Sequence, residues 1–254
     1  MEVRAIDTHC HIHYTPVETL KAITLSKIMR EGASYTAYWD TLSQIEKAAK
    51  ISTVFASPFE ALTDRADTVQ ANEDMFKLVQ DIPNLYQWVV IDPLNEITFE
   101  QADRMLKCKK CVGIKLHPVM HNYSIEEQGE KIFSFAEKHS AIVQIHPEKE
   151  ADYVRFADSF PKVTFIIAHL SGALHINAIK NAKYRNVYTD TSGMASLKNM
   201  LIEYAISQIG SDRILFGTDT YAASAQRGRI EYAMISDQDK ENILFNNAKK
   251  LFSL

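Results

Sequence analysis

Two imidazoles stand two residues apart in Asp7-Thr8-His9-Cys10-His11, close to the N-terminus. A short apolar run, 3–6, leads into them and reads as a buried strand. Side chains alternate faces along a strand, so His9 and His11 are expected to point one way, with Asp7 behind them on that face and Cys10 on the other. Such a pair at a strand end can grip one metal ion. Further along, Lys115 and His117, His146, His169 and Asp219 each close an apolar run. Any one of these histidines alone would ordinarily be a hydrogen-bonded core residue. A random scatter of nine histidines would not put five of them at strand ends. Nitrogen donors joined by a carboxylate suit zinc, and a coordination position left open makes such a site catalytic. A bound metal lowers the pKa of its water towards ~7, giving hydroxide at neutral pH. Asp219 could ligate the ion, accept a proton from its water, or do both in turn. His169 is the candidate to orient that water or shuttle its proton.

The elements that must position these residues alternate along the chain. Apolar runs fall at 51–57, 85–91, 111–117, 141–146, 163–169, 187–191 and 213–219, after the first run that ends at the histidine pair. Between them lie helical patterns, at 65–81, 97–107, 125–138 and 148–158, and a closing helix at 238–252. Residues 15–50 are mostly helical and broken at Gly32, which suggests an excursion or lid over the first strand. Strands alternating with helices make βαβ units and a parallel sheet. Continuous apolar strands are buried on both faces. About eight repeats predict a (β/α)8 TIM barrel, one domain over 1–254, with its site at the C-terminal ends of the strands. His13 and His121 fall in loops on that same face, within reach of a substrate, whereas His139 and His175 suit structural or solvent-facing roles.

Composition excludes several classes. The 254 residues are 46% hydrophobic and 24% charged, an ordinary globular mixture. A net charge of -4 argues against a nucleic-acid partner. No apolar run approaches the ~18 residues of a membrane span. The N-terminal run reads as a strand and not as a signal peptide. The protein is expected to be soluble and cytoplasmic, with a homodimer left open. Cys108 and Cys111 form a Cys-x-x-Cys, but no second pair completes a tetrahedral zinc site. Reduced thiols at a helix-to-strand junction, on the face opposite the chemistry, are the expectation there.

Taken together, these motifs resemble the amidohydrolase superfamily, and within it the amidohydrolase-2 branch that includes aminocarboxymuconate semialdehyde decarboxylase. Asp7-x-His9-x-His11 matches the strand-one motif, and Gly113-Ile114-Lys115-Leu116-His117-Pro118 resembles the strand-four segment. His146-Pro147, His169-x-Ser171-Gly172 and Gly217-Thr218-Asp219 match strands five, six and eight, and 241–252 resembles the last helix. The resemblance implies metal ligands His9, His11, His146 and Asp219, with His169 as the catalytic histidine beside them. It implies one divalent ion, zinc as first choice. A second ion would require carbamylation of Lys115, as in binuclear members.

The favoured expectation is therefore a metal-dependent hydrolase of a small molecule, acting through metal-activated water. The alternatives are a non-oxidative decarboxylase using the same site and, from another class, a non-catalytic barrel that binds a partner. Lys115 and His117 share one face of strand four and are expected to meet the substrate. A lysine with no carboxylate in its own segment is costly to bury, so an anionic substrate, one bearing a carboxylate, would complete it. Asp190 or Asp92 could instead supply the counter-charge from within the core.

Overall fold

A computed structural model describes residues 4–13, 38–63, 67–147, 150–220 and 222–254. The chain alternates as the hydrophobic runs require. In order come β1 (Ala5–Ile12), α1 (Trp39–Ala48), β2 (Ile51–Pro58), α2 (Phe59–Thr63), α3 (Thr68–Asp81), β3 (Leu85–Val90), α4 (Glu96–Met105) and β4 (Cys111–Leu116). They are followed by α5 (Pro118–His121), α6 (Ile125–His139), β5 (Ile142–Ile145), α7 (Glu150–Ser159), β6 (Thr164–Ile167), α8 (Ala173–Asn181) and β7 (Val187–Asp190). Then α9 (Leu201–Ile209), β8 (Ile214–Leu215), α10 (Ala223–Glu231), α11 (Asp237–Glu241) and α12 (Asn247–Leu251) complete the order. Of the helical excursion expected over 15–50, α1 is its described part, and residues 14–37 lie outside the described residues.

All seven neighbouring strand pairs are parallel, in the order β1 to β8. β8 has only two residues in its ladder, so the seam to β1 is made by single bonds. Thr8 N donates to Phe216 O at 2.9 Å, and Asp219 N donates to His9 O at 2.7 Å. The eight strands thus form a nearly closed (β/α)8 TIM barrel, as the repeats predicted. Among the described residues, no helix is long and apolar enough to cross a membrane.

Two apolar layers hold the barrel. The larger lies between strands and helices and includes Val54, Met75, Val89, Phe133, Phe165 and Ile176. The smaller fills the barrel floor, where Phe55 and Trp88 meet Phe252 from the C-terminal segment at centroid distances of 4.7 and 5.7 Å. Gly113 is required beneath Trp88, because a Cβ there would stand 2.3 Å from Ile142 O. The Trp88 indole then donates to Thr8 O at 2.9 Å, tying the floor to the strand that carries the histidine pair. Polar side chains occupy the barrel directly above this floor.

β1 departs from strict alternation. Asp7 pairs with Val54 and Cys10 with Ala56, so three residues on β1 span two on β2. This bulge turns Asp7 to the face of Cys10, away from the histidines, contrary to the sequence expectation. Asp7, Cys10 and Glu46 of α1 form one buried cluster behind the strand. Asp7 works there as a staple. Its Oδ1 accepts from His9 N and Thr218 N, both at 3.0 Å, and its Oδ2 accepts from Thr218 Oγ1 at 2.6 Å.

Candidate metal centre and active site

The strand-end residues converge at the C-terminal mouth of the barrel. His11 Nε2 lies 2.9 Å and His9 Nε2 3.6 Å from Asp219 Oδ1. Donor atoms of these three residues all fall within 4.8 Å of one another. Each ring is fixed from behind. His9 Nδ1 is 2.9 Å from Asp190 Oδ2, and His11 Nδ1 is 2.8 Å from Ser57 Oγ. With His9 Nδ1 donating to the Asp190 carboxylate, its Nε2 presents a lone pair on the side of Asp219. Two imidazole nitrogens and a carboxylate oxygen gathered this closely are a set of metal donors. An outer carboxylate or hydroxyl fixing the ring is also the usual support of a metal-ligating histidine. This donor set fits a divalent ion.

Asp190 and Ser192 form the hub of the site. Asp190 Oδ1 accepts from His169 N at 3.2 Å, Ser192 N at 3.1 Å and Ser192 Oγ at 2.5 Å. The one proton of the Ser192 hydroxyl is thereby committed, so Oγ accepts. It lies 2.9 Å from Nδ1 of His9 and 2.9 Å from Nδ1 of His169. The network thus assigns His169 the Nδ1–H tautomer, with Nε2 left to accept. The His9 and His169 rings stack at 4.9 Å. Gly193 is obligatory here, because φ is +73° and a Cβ would approach His169 Nδ1 to 2.8 Å. Three site-bearing residues, His169, Asp219 and Thr220, have φ of +62°, +58° and +68°. Such backbone strain gathers where a site is over-determined by its surroundings.

Lys115 is fully buried in the barrel. Its Nζ donates to His9 Nε2 at 2.7 Å and to Gln144 Oε1 at 3.0 Å. Among the described residues no carboxylate pairs with it directly, neither Asp92 nor Asp190. Gln144 stands between, with its Nε2 3.0 Å from Thr8 O and 3.5 Å from Asp190 Oδ2. Burial brings the Lys115 ammonium down to about 8, against the opposing pull of Asp190 and Asp219. Burial and then Lys115 likewise lower His9 to about 3. Burial would raise Asp190 and Asp219, but their histidine neighbours outweigh it and hold both well below the carboxylate range.

His146 and His117 stand to one side. Their rings stack at 4.0 Å, and His146 lies 5.0 Å edge-on to His169. His146 is outside the 4.8 Å cluster, but its Nδ1 is buried with no hydrogen-bond partner among the described residues. Burial and then His169 push it down to about 3, which suits a neutral metal-donor nitrogen. His117 Nδ1 accepts from Met120 N at 3.3 Å and caps α5. The two loop histidines are tied elsewhere. His13 bonds Glu60 at 3.0 Å and stacks on Phe59, and His121 Nε2 donates to Ala61 O at 2.7 Å. His175 is buried on Thr189 and His139 faces Asp103, both structural as expected.

Sequence reasoning did not single out Ser57, Gln144, Ser192 or Gly193, and saw Asp190 only as a counter-charge. Two signals were present. Gln144 interrupts the apolar run 141–146, and Asp190 interrupts the run 187–191. A polar residue inside a strand buried on both faces needs partners.

The family described as amidohydrolase matches residues 6–254. The chain belongs to the amidohydrolase family. The solved structures similar to this family member share its fold end to end. A 2,6-dihydroxybenzoate decarboxylase from Rhizobium is 17% identical, with 98% of each chain covered and a TM-score of 0.74. A 5-carboxyvanillate decarboxylase from Novosphingobium aromaticivorans, complexed with manganese and 4-hydroxy-3-methoxy-5-nitrobenzoic acid, is 15% identical. It covers 99% of this chain and 96% of its own, with a TM-score of 0.78. A putative amidohydrolase from Staphylococcus aureus is 15% identical, covering 99% and 100%, with a TM-score of 0.74. No curated protein matches the sequence.

Proposed function

We propose that this amidohydrolase-family protein is a single-domain, metal-dependent decarboxylase of a small carboxylated aromatic molecule. The observation that carries the reading is Lys115, a buried cation beside His9 and Asp219 with no carboxylate bonded to it among the described residues. A substrate carboxylate is the missing counter-ion. Hydrolysis, the first expectation from the sequence, yields to decarboxylation because the similar structures include decarboxylases of a dihydroxybenzoate and of a carboxyvanillate.

His9, His11, Asp219 and His146 are the proposed ligands of one divalent ion. Manganese displaces zinc as first choice, since it is the ion in a similar structure. When bound, the ion acts as a Lewis acid that draws electron density from the substrate's oxygens. The chain's own residues do the rest. Lys115 neutralises the anionic substrate and fixes its orientation. His169, its Nδ1–H tied to Ser192, is left with Nε2 to hold and deliver a proton. In the reaction that proton goes to the carbon bearing the carboxylate. The carbon–carbon bond then breaks, its electron pair stays on that carbon, and carbon dioxide leaves. Measuring carbon dioxide release from hydroxylated benzoates, with and without chelator, tests the proposal.

A further inference from the structure

The turn that feeds β4 carries Cys108-Lys109-Lys110-Cys111, at the base of the barrel and away from the site above. Cys111 N donates to Cys108 O at 3.0 Å, which closes a hydrogen-bonded β-turn. Such a turn holds its first and fourth Cα atoms within about 7 Å. A disulfide spans Cα separations of about 4.4–6.8 Å. Cys108 faces α3 and Cys111 faces Gln87 of β3. Cys108 Sγ lies 3.8 Å from the Gln80 amide of that helix. Cys111 Sγ lies 3.8 Å from Gln87 Oε1, and the Gln87 amide donates to Asn72 O of the same helix at 3.0 Å.

The two thiols differ in access. Cys111 is buried and Cys108 half-buried, and both line a cavity of about 600 Å³. Lys107, Lys109 and His139 also line it. Asp103 meets Lys107 at 2.7 Å and His139 at 3.4 Å. Lys109 has no ion-pair partner among the described residues, which leaves a cation at the mouth for an anionic molecule. Burial and then Cys108 push the Cys111 thiol up to about 12, so it stays protonated at rest. The third cysteine, Cys10, is sealed in the core.

We propose that Cys108 and Cys111 are a dithiol modification site, converted to an intrachain disulfide by a small anionic disulfide of the glutathione class. The Cys108 thiolate attacks one sulfur of the reagent, forms a mixed disulfide and releases one thiolate. The Cys111 thiol then gives up its proton and attacks Cys108 Sγ. The bond to the reagent breaks, and its second half leaves as a thiol. Two protein thiols are oxidised and one small disulfide is reduced to two thiols, so atoms and electrons balance. Exposure sets the order, because thiol–disulfide exchange requires a reachable thiolate.

The test incubates the full-length, metal-loaded protein with glutathione disulfide and reads intact mass after alkylation under denaturing conditions. The wild type is expected to lose two hydrogens and to keep one alkylatable cysteine, Cys10. Cys111→Ser should accumulate a glutathione adduct on Cys108. Cys108→Ser should react at least about tenfold more slowly, since its remaining thiols are buried. A wild type that stops at the glutathione adduct overturns the proposal, as does a Cys108→Ser protein that reacts at the wild-type rate. The wild-type mass alone decides the matter if either variant fails to fold.

Discussion

The Lys115 ammonium stands 2.7 Å from His9 Nε2, within the barrel and out of reach of solvent. That contact places a cation against the nitrogen proposed to hold the metal. Lys115→Met removes the charge but keeps the length of the side chain. It is expected to raise KM for carboxylate substrates at least about tenfold, a loss of ~1.4 kcal/mol of binding. KM for neutral analogues should hold. The thermal midpoint should hold or rise, because replacing a buried charge by an apolar side chain of similar size is often neutral or stabilising. Equal losses on charged and neutral substrates would mean that the lysine acts on the metal and not on the substrate.

His11→Ala and His169→Asn should separate ligand from proton carrier. Elemental analysis should find His11→Ala depleted of metal and His169→Asn as loaded as the wild type. Turnover of His169→Asn should fall by roughly 10²–10⁴, the usual contribution of a general acid or base. Loss of metal in both variants would make His169 a ligand.

Ser192 and Gly193 set the tautomer and the position of the His169 ring. Gly193→Ala introduces a Cβ 2.8 Å from His169 Nδ1, at a backbone φ of +73°. Turnover should drop by about 10²-fold, the cost of a displacement near 1 Å at a reacting group. Nitrogen-15 spectra of labelled histidine should report Nδ1–H at His169 in the wild type. In Ser192→Ala they should show a mixture of tautomers. An unchanged His169 signal in Ser192→Ala would sever the proposed link.

His175 gives the protein an acid-sensitive point outside the site. Burial lowers it to about 4 from an ordinary 6.5. Between those values the unfolded chain binds the proton and the folded chain does not, so stability rises with pH across that window. It is fully present above ~6.5 and is lost as pH falls towards ~4, an amount of roughly 3 kcal/mol. Urea midpoints of wild type and His175→Gln, compared at pH 7 and pH 4.5, check this. The wild type should lose more on acidification than the variant does. Parallel losses would contradict it.

Much of the barrel was legible because each strand is apolar on both faces and ends at a proline, a glycine or a polar residue. The chain at 141–147 shows how: an apolar run, then His146, then Pro147. What escaped was whatever depends on contacts between distant strands. Ser192 matters because the segment after β7 reaches across the barrel mouth to His9, 183 residues away in the sequence. Asp7 misled for a local reason. The bulge in β1 reversed its face, and no sequence pattern marks a bulge in a run of buried residues. Lys115 lies inside β4, whereas His117, expected on the same strand face, falls just past the strand end and spends a nitrogen on capping the next turn.

The most direct measurement is carbon dioxide release by manganese-loaded protein from a panel of hydroxylated benzoates, with the remaining product identified by mass. Loss of carbon dioxide from at least one acid, abolished by chelation and by His169→Asn, is the result expected. A product that gains water, from an amide or lactone panel, with no carbon dioxide from any acid, would contradict decarboxylation and restore hydrolysis.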